Sequence, residues 1–273
     1  MARTGPTTLM LPPFSGATRR LILASVAIFF ALAVLGLVSE GSAALLTIHL
    51  SLVPALLAHG ELWQLATYSF VNVGIISTLF ALLTLWFIGP MLEGSFGARW
   101  LYELFFASAV GGGLLAAIIS FTKILGLTPR FAANGPYAGV FGLLVAIAIF
   151  FGEQEFLLLF VLRMKAKYLV AIYIVIELAL LVKGGGAFDA LVQLAGGLCG
   201  FAYVKFAPRR GLAGGLAERY YAMRNEFYRA KRRRAAKKFE VYMRKQGTEV
   251  HFDSNGRYVD PDDRNPTDKK WMN

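Results

Sequence analysis

Three histidines, His49, His59 and His251, and one cysteine, Cys199, are all the soft ligands and neutral-pH bases in a chain of 273 residues. No two histidines stand at metal-ligand spacing, so neither a metal site nor a cofactor is expected. Cys199 lies inside an apolar block and has no second cysteine to pair with. Redox compartment is therefore not readable from cysteine usage. Ionisable groups inside apolar blocks are the next place to look, because within a membrane they mark ion or substrate pathways. Glu177 is the clear case, with Asp189 at the start of the following block. The bland reading is a residue hydrogen-bonded in a bundle interior. Two small-residue clusters complete the inventory: NGPYAGVFG at 134–142 and QLAGGLCG at 193–200.

The elements that would carry these groups are set by composition. The chain is 56% hydrophobic and 16% charged, with net charge +11 and a mean hydropathy of +0.55. Soluble domains run nearer 25% charged. Several apolar blocks approach the ~20 residues that cross a bilayer as helix. The reading is an all-α polytopic membrane protein with six spans, at about 20–39, 73–92, 99–121, 134–151, 168–183 and 188–206. The first block, 21–38, exceeds the ~7–15 residues of a signal-peptide core. It therefore reads as an uncleaved helix, although Thr18-Arg19-Arg20 suggests a twin-arginine signal. Residues 40–71 form a long connection broken by Pro54, His59 and Gly60. That predicts short interfacial helices with Trp63 as an anchor.

Domain organisation follows: a disordered segment at 1–18, a membrane domain at 19–206 and a basic tail at 207–273. The tail should hold an amphipathic helix at about 216–245 stopping near Gly247, then a small hairpin around Asn255-Gly256, then disorder. GEQEFLLLFVLRMKAK, 152–167, reads as a loop with an amphipathic piece. Arg19, Arg20, Arg99, Arg163, Lys165, Lys167, Arg209 and Arg210 fall on one side of a six-span topology; Lys123, Arg130 and Lys183 fall on the other. Both termini are thus expected in the cytoplasm of a plasma membrane protein, or a bacterial inner-membrane protein. The tail suits anionic lipid, at about 1 kcal/mol per near-surface Lys or Arg. It suits nucleic acid less well, and a solvated, topology-fixing tail is the plain alternative.

In hydrocarbon no hydrophobic force drives helices together, so close contact needs small side chains. Gly135, Ala138, Gly139 and Gly142 offer this on the fourth span. Ala195, Gly196, Gly197 and Gly200 offer it on the sixth. The two spans should pack backbone to backbone near the start of the fourth.

At these residues the chain resembles the rhomboid intramembrane serine proteases. GPYAGVFGLL resembles the segment that opens their fourth helix, and QLAGGLCG their sixth-helix segment. ELWQLATYSFVN is similar to their Trp-Arg loop, FALLTLWFIGPMLEGSFG to their second helix, and RMKAKYL to the basic loop before the fifth. The resemblance covers about 20–206 and implies a six-transmembrane-helix rhomboid-like bundle. It places Tyr137 at the nucleophile position and Gln193 at the general-base position. Asn72, Ser77 and Ala81 fall at the oxyanion and loop positions, and Gln64 follows Trp63 where the family has arginine.

A glutamine amide has no titratable proton and cannot serve as that base. A phenol with a pKa near 10 is no substitute for an activated serine. The resemblance therefore implies a pseudoprotease that binds transmembrane segments of client proteins, with catalytic residues not expected. A polar contact between Tyr137 and Gln193 is expected in place of a catalytic pair. Asn72, Ser77, Tyr137 and Gln193 would form the recognition surface. An active intramembrane serine endopeptidase and a small transporter or lipid-perturbing protein, the latter using Glu177, are the other readings.

Overall fold

The computed structural model describes residues 12–158, 162–184, 186–207, 212–245, 250–252 and 258–259. The chain divides into two compact units, Met1–Gly211 and Leu212–Asn273.

The first unit is built from helices. α1 (Gly16–Val38) and α2 (Glu40–Leu50) are separated by Ser39, whose hydroxyl accepts from the Ser42 N–H as the α2 N-cap. Two short helices, α3 (Pro54–Ala58) and α4 (Gln64–Thr67), and a 3₁₀ turn at Tyr68–Phe70 complete the connection. α5 (Ile75–Phe96) and α6 (Ala98–Phe121) meet at Gly97. α7 (Tyr137–Phe150) follows a loop, then α8 (Ala166–Lys183) and α9 (Ala187–Phe206). Four of the described helices, α1, α5, α6 and α9, are long and apolar enough to cross a membrane. α7 has only 14 residues. α8 has 18 residues and carries Lys167, Glu177 and Lys183.

Two expectations are corrected here. Helix begins at Gly16, not after residue 18, because a partner from another element caps it. The Glu93 carboxylate accepts from the Ala17 N–H at 2.7 Å and from the Thr18 N–H at 3.2 Å. It also accepts from the Thr18 hydroxyl. A carboxylate at orphan helix N–H groups is favoured by hydrogen bonding and by the helix dipole. Residues 1–11 lie outside the described residues. Glu93→Gln is expected to lower stability by about 1 kcal/mol. A detergent melting curve unchanged by Glu93→Ala would contradict this cap.

The second is at 152–167, expected as a loop with an amphipathic piece, where the chain pairs two strands. β1 (Glu155–Leu158) pairs antiparallel with β2 (Leu162–Lys165), Glu155 opposite Lys165. Runs rich in Phe and Leu bounded by polar turns do not distinguish strand from helix by periodicity alone. At the base of this hairpin, Glu153 accepts from Lys165 at 2.7 Å and also from Lys167. Hydrogen bonds first from Lys165 and then from Lys167 hold its carboxyl at about 2, well below the ordinary 4.5. A depressed carboxylate contributes stability that is present above pH ~4.5 and lost as the pH falls towards about 2. The melting temperature of the wild type should therefore fall more steeply than that of Glu153→Gln across that window. Added salt should shrink the difference, because the group is exposed.

The centre of the first unit is formed by α6, α7 and α9. Leu101, Leu104, Phe105, Phe141 and Leu143 are buried there. A second apolar cluster at the end holding the 40–71 connection contains Leu52, Tyr68, Leu127 and Phe188.

In the second unit, α10 (Leu212–Lys245) starts four residues earlier than expected, and β3 (His251–Phe252) pairs antiparallel with β4 (Tyr258–Val259). Gly247, Asn255 and Gly256, on which the helix stop and the turn were placed, lie outside the described residues.

Candidate functional site

The helical seam fixes where the site residues stand. A Cβ added at Gly196 would lie 2.7 Å from the Ala138 carbonyl oxygen, and one at Gly200 would lie 2.6 Å from the Gly142 Cα. α9 thus lies backbone to backbone on the first two turns of α7. α6 closes the third side. A Cβ at Gly112 would lie 2.5 Å from the Gly196 nitrogen, and a Cβ at Gly139 would run into the Phe105 ring. Gly142 makes room for Ser108 of α6. Gly135 has another job and is not part of this seam. It precedes α7 with φ +96, a left-handed conformation that glycine alone adopts cheaply.

Tyr137, the first residue of α7, and Gln193 of α9 line one small pocket. Its other walls are Tyr68, Ala133, Asn134, Gly135, Ala138, Asp189 and Val192. The cavity volume is about 10 Å³, room for roughly one water molecule.

The expected Tyr137–Gln193 hydrogen bond is not formed. The Gln193 carbonyl oxygen instead accepts from the Tyr173 hydroxyl of α8 at 2.9 Å. Tyr173 was missed by sequence reasoning. The available signal was its spacing from Glu177, which puts the two on one face of an otherwise apolar helix.

Asn72, Ser77 and Ala81 do not join this pocket. The Asn72 amide donates to the Phe70 carbonyl at 3.2 Å, and the Ser77 hydroxyl donates to the Gly74 carbonyl at 3.0 Å. Each polar side chain closes on a backbone carbonyl two or three residues before it, the local pairing that short polar residues favour. Ala81 is buried on α5. The recognition surface expected from Asn72, Ser77, Tyr137 and Gln193 is therefore split, and only Tyr137 and Gln193 come together.

The connection at 40–71 is tied down by side chains the sequence reading gave little weight. Gln64 is 0% exposed. Its Oε1 accepts from the Val53 N–H at 2.9 Å, and its Nε2 donates to Glu61 at 2.8 Å. Glu61 also contacts His49 Nδ1 at 2.9 Å. Trp63 donates from its indole to the His49 carbonyl while its ring stays half exposed. His59 Nδ1 donates to the Ala55 carbonyl at 2.7 Å and does not line the pocket.

Tyr68 joins this connection to the bundle. Its hydroxyl donates to the Ala109 carbonyl of α6 at 2.7 Å, and its own carbonyl accepts from the Gly135 N–H at 2.9 Å. Burial pushes its phenol above the ordinary value, so it remains a neutral donor. A two-way backbone pairing of Leu52 with Ala133 holds the loop before α7 against the same connection.

Among the described residues no group of three or more His, Cys, Asp or Glu could hold a metal ion. The pocket offers two phenols, two amides and a carboxylate, all of them hydrogen-bonding groups at the entry to a tightly packed three-helix seam.

No curated protein matches the chain. One family model does match, over residues 20–235, from the start of α1 into α10. Together with the apolar helices, that match makes this a predominantly α-helical integral membrane protein. The chain belongs to the family described as "Eukaryotic integral membrane protein (DUF1751)".

Proposed function

We propose that this chain is a rhomboid-like pseudoprotease, a six-helix membrane scaffold that binds transmembrane segments of client membrane proteins and does not cleave them. The observation that carries the reading is the pairing at Gln193. The family's base position holds an amide whose carbonyl is occupied by Tyr173, and the family's nucleophile position holds the phenol of Tyr137. Neither group can take a proton from a nucleophile near neutral pH. A pocket with room for about one water also leaves no place for a peptide carbonyl beside the Tyr137 ring.

On this reading α1, α5, α6, α7, α8 and α9 are the six spans. α7 is about 21 Å long as a helix of 14 residues, short of a ~30 Å hydrocarbon layer. The loop leading to Tyr137 supplies the rest of the crossing, which puts the pocket below the membrane surface. Both termini face the cytoplasm by the Lys and Arg asymmetry. The tail helix α10 contacts anionic lipid, expected as salt-sensitive binding to vesicles containing phosphatidylserine and none to neutral ones.

The test of the main reading is cleavage of a transmembrane reporter in membranes containing the full chain. The wild type should be silent. Cleavage abolished by Tyr137→Phe or Gln193→Ala would overturn the reading and require an unorthodox catalytic pair. Activity appearing in the double variant Tyr137→Ser with Gln193→His would show the rhomboid geometry intact, with only its chemistry removed.

A further inference from the structure

α8 is apolar between its terminal lysines except for two groups one turn apart, Tyr173 and Glu177. That spacing puts both on one face, and the face meets α9, where Tyr173 donates to Gln193. Glu177 is 4% exposed, and its Oε2 has no hydrogen-bond partner among the described residues. It lies within electrostatic reach of Asp189, which stands exposed in the first turn of α9 and lines the pocket with Tyr137 and Gln193. The groups form a polar track from an exposed carboxylate, past half-buried Gln193 and Tyr173, to a buried one. Neither Glu177 nor Asp189 is in an ion pair among the described residues.

A carboxylate oxygen kept from water without a partner is costly. Within membranes such residues are retained where something pairs with them. What the track lacks is a cation. A metal ion would need more ligands than two separated carboxylates supply, and no cluster of three or more such ligands exists among the described residues. A free organic cation would have to shed its hydration shell on the apolar surface of α8, with nothing there to replace it. A lysine or arginine carried on another helix meets neither objection, because its thin apolar stem passes along apolar surface while its head seeks the charge. The surface beside the track suits such a helix: Ile176 and Leu180 of α8, each three positions from Tyr173 or Glu177, are exposed and apolar.

We propose that Glu177 and Asp189, bridged by Tyr173 and Gln193, form a binding site for a lysine or arginine side chain within the transmembrane segment of a bound protein. The site deepens the client-binding reading and rests on it. It selects segments whose basic residue lies in the half of the span level with Asp189. Purely apolar segments are left in the lipid.

The experiment places a photo-cross-linking residue at Ile176 of the full-length chain in lipid nanodiscs. The probes are single-span Leu/Ala segments carrying Lys, Arg, Gln or Leu at one position in that half. Capture of the Lys and Arg segments should exceed that of the Leu segment by about tenfold or more, given the cost of leaving one buried charge unpaired. In Glu177→Gln the ratio should fall to about one, and Glu177→Lys should reverse the preference towards a Glu-bearing segment. Equal capture of Lys and Leu segments by the wild type would overturn the site and leave the client reading standing. Capture of no segment would overturn both. Should the Glu177 variants fail to fold, the wild-type ranking still decides, since a site that merely accepts polar groups would capture Gln as well as Lys.

Discussion

Gly196→Leu should yield no folded membrane unit. The residue is pressed from two sides. A Cβ there would stand 2.7 Å from the Ala138 carbonyl oxygen and 2.8 Å from the Ala138 Cβ, and α6 presses on the backbone of the same residue, a Cβ at Gly112 lying 2.5 Å from the Gly196 nitrogen. These neighbours are backbone, which cannot rotate away as a long side chain can. One methyl at such a contact costs up to about 3 kcal/mol by overpacking, and a leucine would have to wedge α7 and α9 apart over two turns. Separation would also undo the contact of Gly200 with Gly142. The loss is not offset by hydrophobic burial, because lipid solvates the opened surfaces as well as protein does. The measurement is a size-exclusion profile and melting curve in mild detergent, with Gly196→Ala as the milder member of the series. Gly94→Ala serves as the control. Nothing lies within 4 Å of a Cβ at that helical position, so it should be neutral or gain up to ~1 kcal/mol from reduced chain entropy. A wild-type melting curve for Gly196→Leu would mean that α6, α7 and α9 do not meet at this point.

Gln64→Ala should be the most damaging single change in the 40–71 connection, at about 3 kcal/mol. The side chain is fully buried, and both ends of its amide are used, one by the Val53 N–H and the other by Glu61. Truncation orphans a backbone donor, releases Glu61 and leaves a void. Each of the first two costs about 1–3 kcal/mol when buried. Gln64→Arg is the more instructive variant. Its guanidinium has donors only, so it can keep Glu61 but cannot accept from Val53. Protection of the Val53 amide against hydrogen exchange should therefore be lost in both variants, while the Glu61–His49 contact survives only in Gln64→Arg. Undiminished Val53 protection in Gln64→Ala would show that the connection is held by its backbone pairings with Ala133 and Pro129 alone.

Membrane character could be read from the sequence because the bilayer imposes one simple requirement. A spanning helix must be long and apolar whatever it packs against, so the blocks around α1, α5, α6 and α9 were visible within a few residues. The glycines of α7 and α9 were equally plain as small residues on separate helices. The third partner of their seam was not, since Gly112 on α6 looks like any other member of a glycine run until its neighbour is known. Gly135 is read along the chain only as a small residue, whereas the fold adds a left-handed backbone there, with the Tyr137 ring against the place where a Cβ would stand.

The candidate site divides in the same way. That Tyr137 and Gln193 cannot act as nucleophile and base follows from their functional groups, and no fold alters it. Which groups they pair with depends on where a third helix lies, and α8 brings Tyr173 to Gln193 in place of Tyr137. Glu93 capping α1 across 76 positions and Gln64 holding Val53 across 11 belong with it. A hydrogen bond is satisfied by any donor or acceptor at about 3 Å with the right angle, so sequence spacing says little about distant partners. Residue chemistry and the length of each apolar block were determined along the chain. The pairing of polar groups, and with it the track from Asp189 to Glu177, was decided only when the helices came together.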